Sequence, residues 1–408
     1  MTDPGSALGQ TATTADVRYN PYDYEIHEDP YPTYARLRNE APLYRNDEIG
    51  FWALSRHADV EAAFRDTIRF SSANGVSIEP SATRPDAYKT MSFLALDPPR
   101  HDRMRALVSR GFTPRRVAEL EQRVRTLTLS YLEPALERRS FDFVSDFSGK
   151  LPMDVISEIM GVPVADRDEV RHLGDLLVHR DDGIVDVPRA GMEAALTLAG
   201  YFGGMVDERR SRRTDDLTSA LLDAEIDGDR LEPDEIIGFL FLMTVAGNET
   251  TAKLLAHAWY WAWRFPDERK KVFTDPSRIP AWIDETLRYD GSSQMLARSA
   301  TANLELHGGS ISAGDRVLLL VGAANRDERV FADPDRYDID RDTTNMISFG
   351  VGPHFCLGAN LARLEARIAL KELVATVASY DIDPEGIRRV HSVNVRGFES
   401  LPTTVEVR

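Results

Sequence analysis

One long apolar stretch most constrains what this chain can become. Leu231 to Phe265 reads as a single helix, about 50 Å long if continuous at 1.5 Å per residue. Phe239, Met243, Ala246 and Thr250 stand four, three and four residues apart, so they share one face of it. Helical patterning runs from His101 to Phe265, broken near Pro114, Gly161, Asp181–Gly183 and Asp227–Gly228. Upstream, Tyr31 to Asn39 and Asp59 to Phe70 read as helices and Phe51 to Leu54 as a strand, with a long irregular segment from Ser71 to Phe93. Downstream, Leu304–Leu306 and Arg316–Val321 read as a hairpin, Ala359–Ser379 as a helix and Thr403–Val407 as a strand. The expected fold class is mainly α with a minor β portion, one large helical domain over 21–408 behind a flexible tail at 1–20.

Composition narrows the function. Cys356 is the only cysteine, so no intrachain disulfide can form and a reducing, cytoplasmic setting is expected. Forty-nine basic against 66 acidic residues leave a net charge of −17, which argues against nucleic acid and anionic lipid as partners. Met1–Asn20 has no basic flank or apolar core, so no signal peptide is expected. Ile236–Gly247, the longest charge-free apolar run, falls short of the roughly 20 residues of a spanning helix, so no membrane anchor is expected.

Cys356 lies in Phe349–Gly350–Val351–Gly352–Pro353–His354–Phe355–Cys356–Leu357–Gly358. Its glycines suit sharp turns or the approach of a flat group. Asn360–Ala366 then begins a helix, whose N-terminus favours thiolate over thiol. A stabilised thiolate serves as nucleophile or as metal ligand. A thiol hydrolase needs a histidine base facing the sulfur, and His354 is only two residues away in a loop. Zinc would need further Cys or His partners at ligand spacing, and none exists. One thiolate suffices where the metal brings its other ligands, as haem iron does.

The 349–358 segment resembles the haem-binding signature of the cytochrome P450 monooxygenases, and the resemblance extends from about Asp29 onward. It implies a single helical domain with small β-sheets, and haem b held by Cys356, with Phe349, Gly350, His354 and Gly358 around it. His101 and Arg105, four apart after Asp97–Pro98–Pro99, together with Arg298 and His354, resemble the family's propionate-binding cations. Ala246–Gly247–Asn248–Glu249–Thr250–Thr251 resembles its oxygen-binding stretch, with Ala246 and Gly247 against the haem and Glu249–Thr250 as the proton relay. Glu285 and Arg288, at i and i+3, resemble the first two members of a buried Glu–Arg–Arg core, with Arg336 expected as the third.

The resemblance implies insertion of one atom of O2 into a hydrophobic small molecule by a bacterial, ferredoxin-dependent hydroxylase, expected as a monomer. A haem-thiolate sensor without turnover is the alternative, but it has no use for Glu249–Thr250. Met91, Phe93, Phe239, Met243, Met295, Leu296 and Phe398 are the expected pocket residues. The chain has no dinucleotide fingerprint, so electrons are expected from an acidic ferredoxin and its reductase. Arg100, Arg103, Arg105, Arg110, Arg115 and Arg116, with Asp102 the one acid among them, form the expected docking segment.

Overall fold

A computed structural model describes residues 17–112, 114–181 and 184–408, without the side chains of 114–116. Its helices of nine residues or more are α1 (Tyr31–Glu40), α2 (His57–Arg65), α3 (Arg100–Ser109), α4 (Glu121–Arg138), α5 (Leu151–Met160), α6 (Arg167–Val178), α7 (Arg189–Ser211), α8 (Pro233–Arg264), α9 (Pro266–Thr274), α10 (Ile279–Tyr289) and α11 (Ala359–Thr376). The long helix of the sequence reading is α8. Pro233 sits at its first position, and Glu232 and Glu235 cap each other's backbone N–H groups. Ile236, Leu240, Leu255 and Trp259 are fully buried, because α5, α6, α7, α10 and α11 all pack around it.

The strands of the two larger sheets and of one hairpin are β1 (Leu43–Asn46), β2 (Phe51–Leu54), β3 (Phe70–Ser71), β4 (Ser140–Asp142), β5 (Leu296–Ala300), β6 (Leu304–Leu306), β7 (Gly309–Ile311), β8 (Arg316–Leu319), β9 (Val377–Ile382) and β10 (Pro402–Val407). One sheet has the order β1–β2–β8–β5–β3 and another β9–β10–β4. The expected hairpin between 304–306 and 316–321 does not form. His307 (φ 51°) and Gly308 (φ 77°) turn the chain at once, so β6 pairs with β7, and β8 joins the larger sheet between β2 and β5.

Two helices are shorter than their patterns. Asp66 accepts a hydrogen bond from the Arg69 N–H (2.9 Å), which ends α2 in a turn and frees Phe70 for β3. Val377 leaves α11 for the extended pairing of β9 with β10. Residues 1–16 of the expected tail lie outside the described residues, whereas Val17 and Tyr19 are buried in the cluster beneath β2 and β8, so the tail assignment ends too late. The irregular 72–95 segment holds only short turns. One of them, Tyr88–Met91, rests on α8 at Gly238, where a Cβ would come within 2.6 Å of the Lys89 carbonyl oxygen.

Candidate active site

The cysteine loop is shaped by two left-handed glycines, Gly350 (φ 66°) and Gly352 (φ 74°). The Cys356 N–H donates to the Phe349 carbonyl (2.9 Å), and Phe355 N–H closes a turn onto Gly352 (3.0 Å). Gly358, with an ordinary φ of −83°, caps α11, and a Cβ there would touch nothing within 4 Å. Its missing side chain therefore leaves a face open and relieves no strain. Cys356 is reachable by solvent on one side. Burial pushes its thiol up, opposed by the N–H groups of Gly358 and Ala359 and by the Arg105 and Arg363 guanidiniums.

Basic side chains from three elements converge beside this loop. The His101 and His354 rings are 4.3 Å apart, and Arg105 Nη2 donates to the Phe355 carbonyl (2.5 Å). Arg298 stands over the Phe64 ring, and burial pushes its guanidinium down to about 10. Burial, then Arg298, His101 and Arg105, push His354 down to about 2. Four of these buried nitrogens, His101 Nε2, Arg105 Nη1, Arg298 Nη2 and His354 Nδ1, have no acceptor in the protein. Such orphans are costly unless an anion meets them. The two carboxylates of a haem b would satisfy this set, and the open face at Gly358 beside a thiol fits a flat iron porphyrin. Among the described residues no three His, Cys, Asp or Glu side chains gather into a metal site, so an iron here must bring its other ligands with it.

A ring chain joins these basic side chains to α8: Phe93 lies 5.9 Å from His101 and 6.2 Å from Phe239. Three turns further along α8, Thr250 Oγ1 donates to the Ala246 carbonyl (2.8 Å), and Ala246 is exposed in the middle of that helix. Gly247 instead faces α5, where a Cβ would meet Ile156 at 3.2 Å, so its small size serves helix packing. Glu249 is 5% exposed, with Lys253 Nζ at 3.3 Å.

Glu285 and Arg288 form a fully buried bidentate pair (2.7 and 2.8 Å). The third arginine is not Arg336, whose exposed side chain approaches only Asp338. Arg341 takes that place, its Nε 3.4 Å from Glu285, while Arg336 contributes its backbone carbonyl. Two arginines five residues apart among acids look alike in the sequence.

The expected pocket residues divide. Phe239 and Met243, on one face of α8, are buried, as is Phe93 beside Phe239, and Met91 is half-buried on the turn that rests on that helix. Met295 points the other way, its sulfur accepting from Tyr19, because alternation along the chain into β5 puts Leu296 on the face of Arg298. Phe398 is packed against His257 and Tyr260, two to three turns beyond Thr250 along α8, and belongs to the core. The neighbouring loop instead brings Asn394 and Val395 to Gln294 and Ser293. The basic segment is also thinner than its composition. Arg103 is spent on Asp229 (2.5 Å) and Glu235 (2.8 Å), and Arg105 points inward. Arg100 and Arg110 are exposed, and the side chains of Arg115 and Arg116 lie outside the described residues.

A family model for cytochrome P450 matches residues 192–378. The "Putative cytochrome P450 123" of Mycobacterium tuberculosis is 56% identical, covering 95% of this chain and 97% of that one. The methyl-branched lipid omega-hydroxylase of the same organism is 34% identical over 96% of this chain and 95% of its own length. Among solved structures, cytochrome P450 CYP109Q5 from Chondromyces apiculatus superimposes with a TM-score of 0.86 at 32% identity, covering 95% of this chain and 98% of that one. CYP109E1 from Bacillus megaterium in complex with testosterone also has a TM-score of 0.86, at 32% identity over 94% and 99%. No helix among the described residues is long and apolar enough to cross a membrane. With such likeness along nearly the whole length of both chains, this protein belongs to the cytochrome P450 family, the haem b monooxygenases.

Proposed function

We propose that the protein hydroxylates, or similarly oxygenates, an apolar organic molecule using O2 and electrons from an external ferredoxin. The observation that carries this reading is the acid–alcohol pair of α8: Glu249, buried and ion-paired, stands next to Thr250, whose hydroxyl is half-buried on the helix. Haem b, when bound through Cys356, supplies the iron at which dioxygen is activated.

The chain's own residues have five tasks. His101, Arg105, Arg298 and His354 hold the two propionates. The N–H groups of Gly358 and Ala359 stabilise the Cys356 thiolate. Phe93, Phe239, Met243 and Leu296 exclude water and orient an apolar substrate. Thr250 Oγ1, released from the Ala246 carbonyl, delivers a proton that Glu249 replaces. Arg100 and Arg110 support docking of an acidic electron donor, whose specificity rests on fewer cations than the six of the segment. Relatives that act on methyl-branched lipids or bind testosterone favour a lipid-like substrate.

The test pairs two variants. Reduced protein under carbon monoxide should show the strongly red-shifted Soret band of a thiolate-bound haem, and Cys356→His should abolish it. Thr250→Ala should leave haem content and ligand binding unchanged while diverting reducing equivalents to peroxide. Full coupling of electron use to product in Thr250→Ala would refute the relay.

A further inference from the structure

Glu249 cannot collect protons by itself, because it is 5% exposed and closed in by its neighbours. Lys253 Nζ lies 3.3 Å from it, one turn along α8, and Asn248 Nδ2 lies 3.5 Å away. The remaining neighbour comes from another helix: the carboxyl of Asp175, on α6, stands close enough to that of Glu249 for their charges to couple. The two helices are pressed together there, since a Cβ on Gly174 would stand 3.6 Å from Thr244 Cγ2 of α8. Unlike Glu249, Asp175 is exposed. One carboxyl is sealed inside and its partner reaches water.

We propose that Asp175 is a positioning residue for the reaction, the outer member of the proton path, which takes a proton from solvent and hands it to Glu249. This rests on the reading of Glu249 and Thr250 as the relay. Two carboxyls in contact cannot both ionise easily, so the pair retains a proton near neutrality. Desolvation of the side that Asp175 turns to α8, then the Glu249 charge, push it up to about 8, while Lys253 and Asp175 itself hold the buried Glu249 down. The other charged groups facing Asp175 are Lys253 on α8 and Arg171 on α6, which is itself paired with Asp168 (2.5 Å). Lys253 is held from behind by the Phe398 carbonyl (3.1 Å), so it stays with Glu249. At pH 7 the proton therefore rests on the outer carboxyl and the inner one is the acceptor. Each delivery moves one proton from Asp175 to Glu249, and water reprotonates Asp175.

The experiment compares wild-type holoprotein with Asp175→Asn, Asp175→Glu and Thr250→Ala, after checking haem content and far-UV circular dichroism. Infrared titration should show a protonated-carboxyl C=O band in the wild type that fades between about pH 7 and 9 and is missing in Asp175→Asn. Donor-driven electron consumption should fall about tenfold in Asp175→Asn with a raised solvent deuterium isotope effect, the loss of rate above about pH 8 should disappear, and Asp175→Glu should recover most of the rate. Absence of the infrared band, or an Asp175→Asn protein with wild-type pH profile and isotope effect, overturns the proposal. If Thr250→Ala is uncoupled while Asp175→Asn behaves as wild type, the error lies in Asp175 alone. If Thr250→Ala stays coupled, the relay reading fails and this proposal with it.

Discussion

Replacing Arg341 by Gln should destabilise the protein far more than replacing Arg336. Arg341 reaches Glu285 and donates Nη2 to the carbonyls of Asp333 (2.9 Å) and Arg336 (3.1 Å) and Nη1 to that of Ala332. It thereby ties the 332–336 turn to a carboxylate with no exposure. Breaking a buried pair costs about 3–5 kcal/mol when a charge is stranded. Here Arg288 stays on Glu285, so the cost falls to that of one or two hydrogen bonds to charged groups, about 3 kcal/mol. Arg336, with its side chain 64% exposed and its nearest carboxylate 3.7 Å away, contributes about 0–0.5 kcal/mol. Over 408 residues, an unfolding entropy of about 2.1 cal/mol/K per residue sums to roughly 0.9 kcal/mol/K, so 3 kcal/mol lowers Tm by about 3.5 °C. The effect should reach the haem, because Ser348, next to the cysteine loop, donates to the Leu287 carbonyl of the same helix (2.7 Å). Melting followed in parallel by circular dichroism and Soret absorbance would measure both. Equal losses in Arg336→Gln and Arg341→Gln would refute the assignment.

Arg298→Gln should speed haem loss about tenfold or more, since one charge-assisted hydrogen bond is worth about 1.5–3 kcal/mol; haem transfer to an apo-globin acceptor measures it, and an unchanged rate contradicts the propionate role. His257 predicts a pH effect. Burial pushes it down to about 4, with Asp290 acting against that and Arg389 and Arg396 adding to it. The fold holds the imidazole neutral, so the unfolded chain binds the extra proton between about pH 4 and 6.5, and this contribution is full above pH 6.5 and lost as pH falls. His257→Gln should remove up to about 2 kcal/mol of the stability lost between pH 6.5 and 5 in urea titrations. An equal loss in wild type and variant would count against it.

What the linear chain determined about this protein is what short-range backbone geometry determines. The cysteine loop, the Glu285–Arg288 step and the Glu249–Thr250 pair are each written in consecutive residues or one helical turn, and side-chain directions there follow from local φ and ψ. α8 was equally legible, since its apolar length needs no distant partner to be recognised. Packing between remote segments decided the rest. Nothing near Arg341 in the chain distinguishes it from Arg336 until the 332–341 turn folds over α10 and one guanidinium alone reaches Glu285. Met295 and Leu296 are adjacent apolar residues, and only the sheet's two faces send one to Tyr19 and the other toward the Arg298 side. Asp175 carries no signal at all in its own helix. Its chemistry arises because α6 lies across α8 at Gly174 and sets two carboxyls side by side, and Coulomb repulsion between groups 74 positions apart is a property of the folded chain.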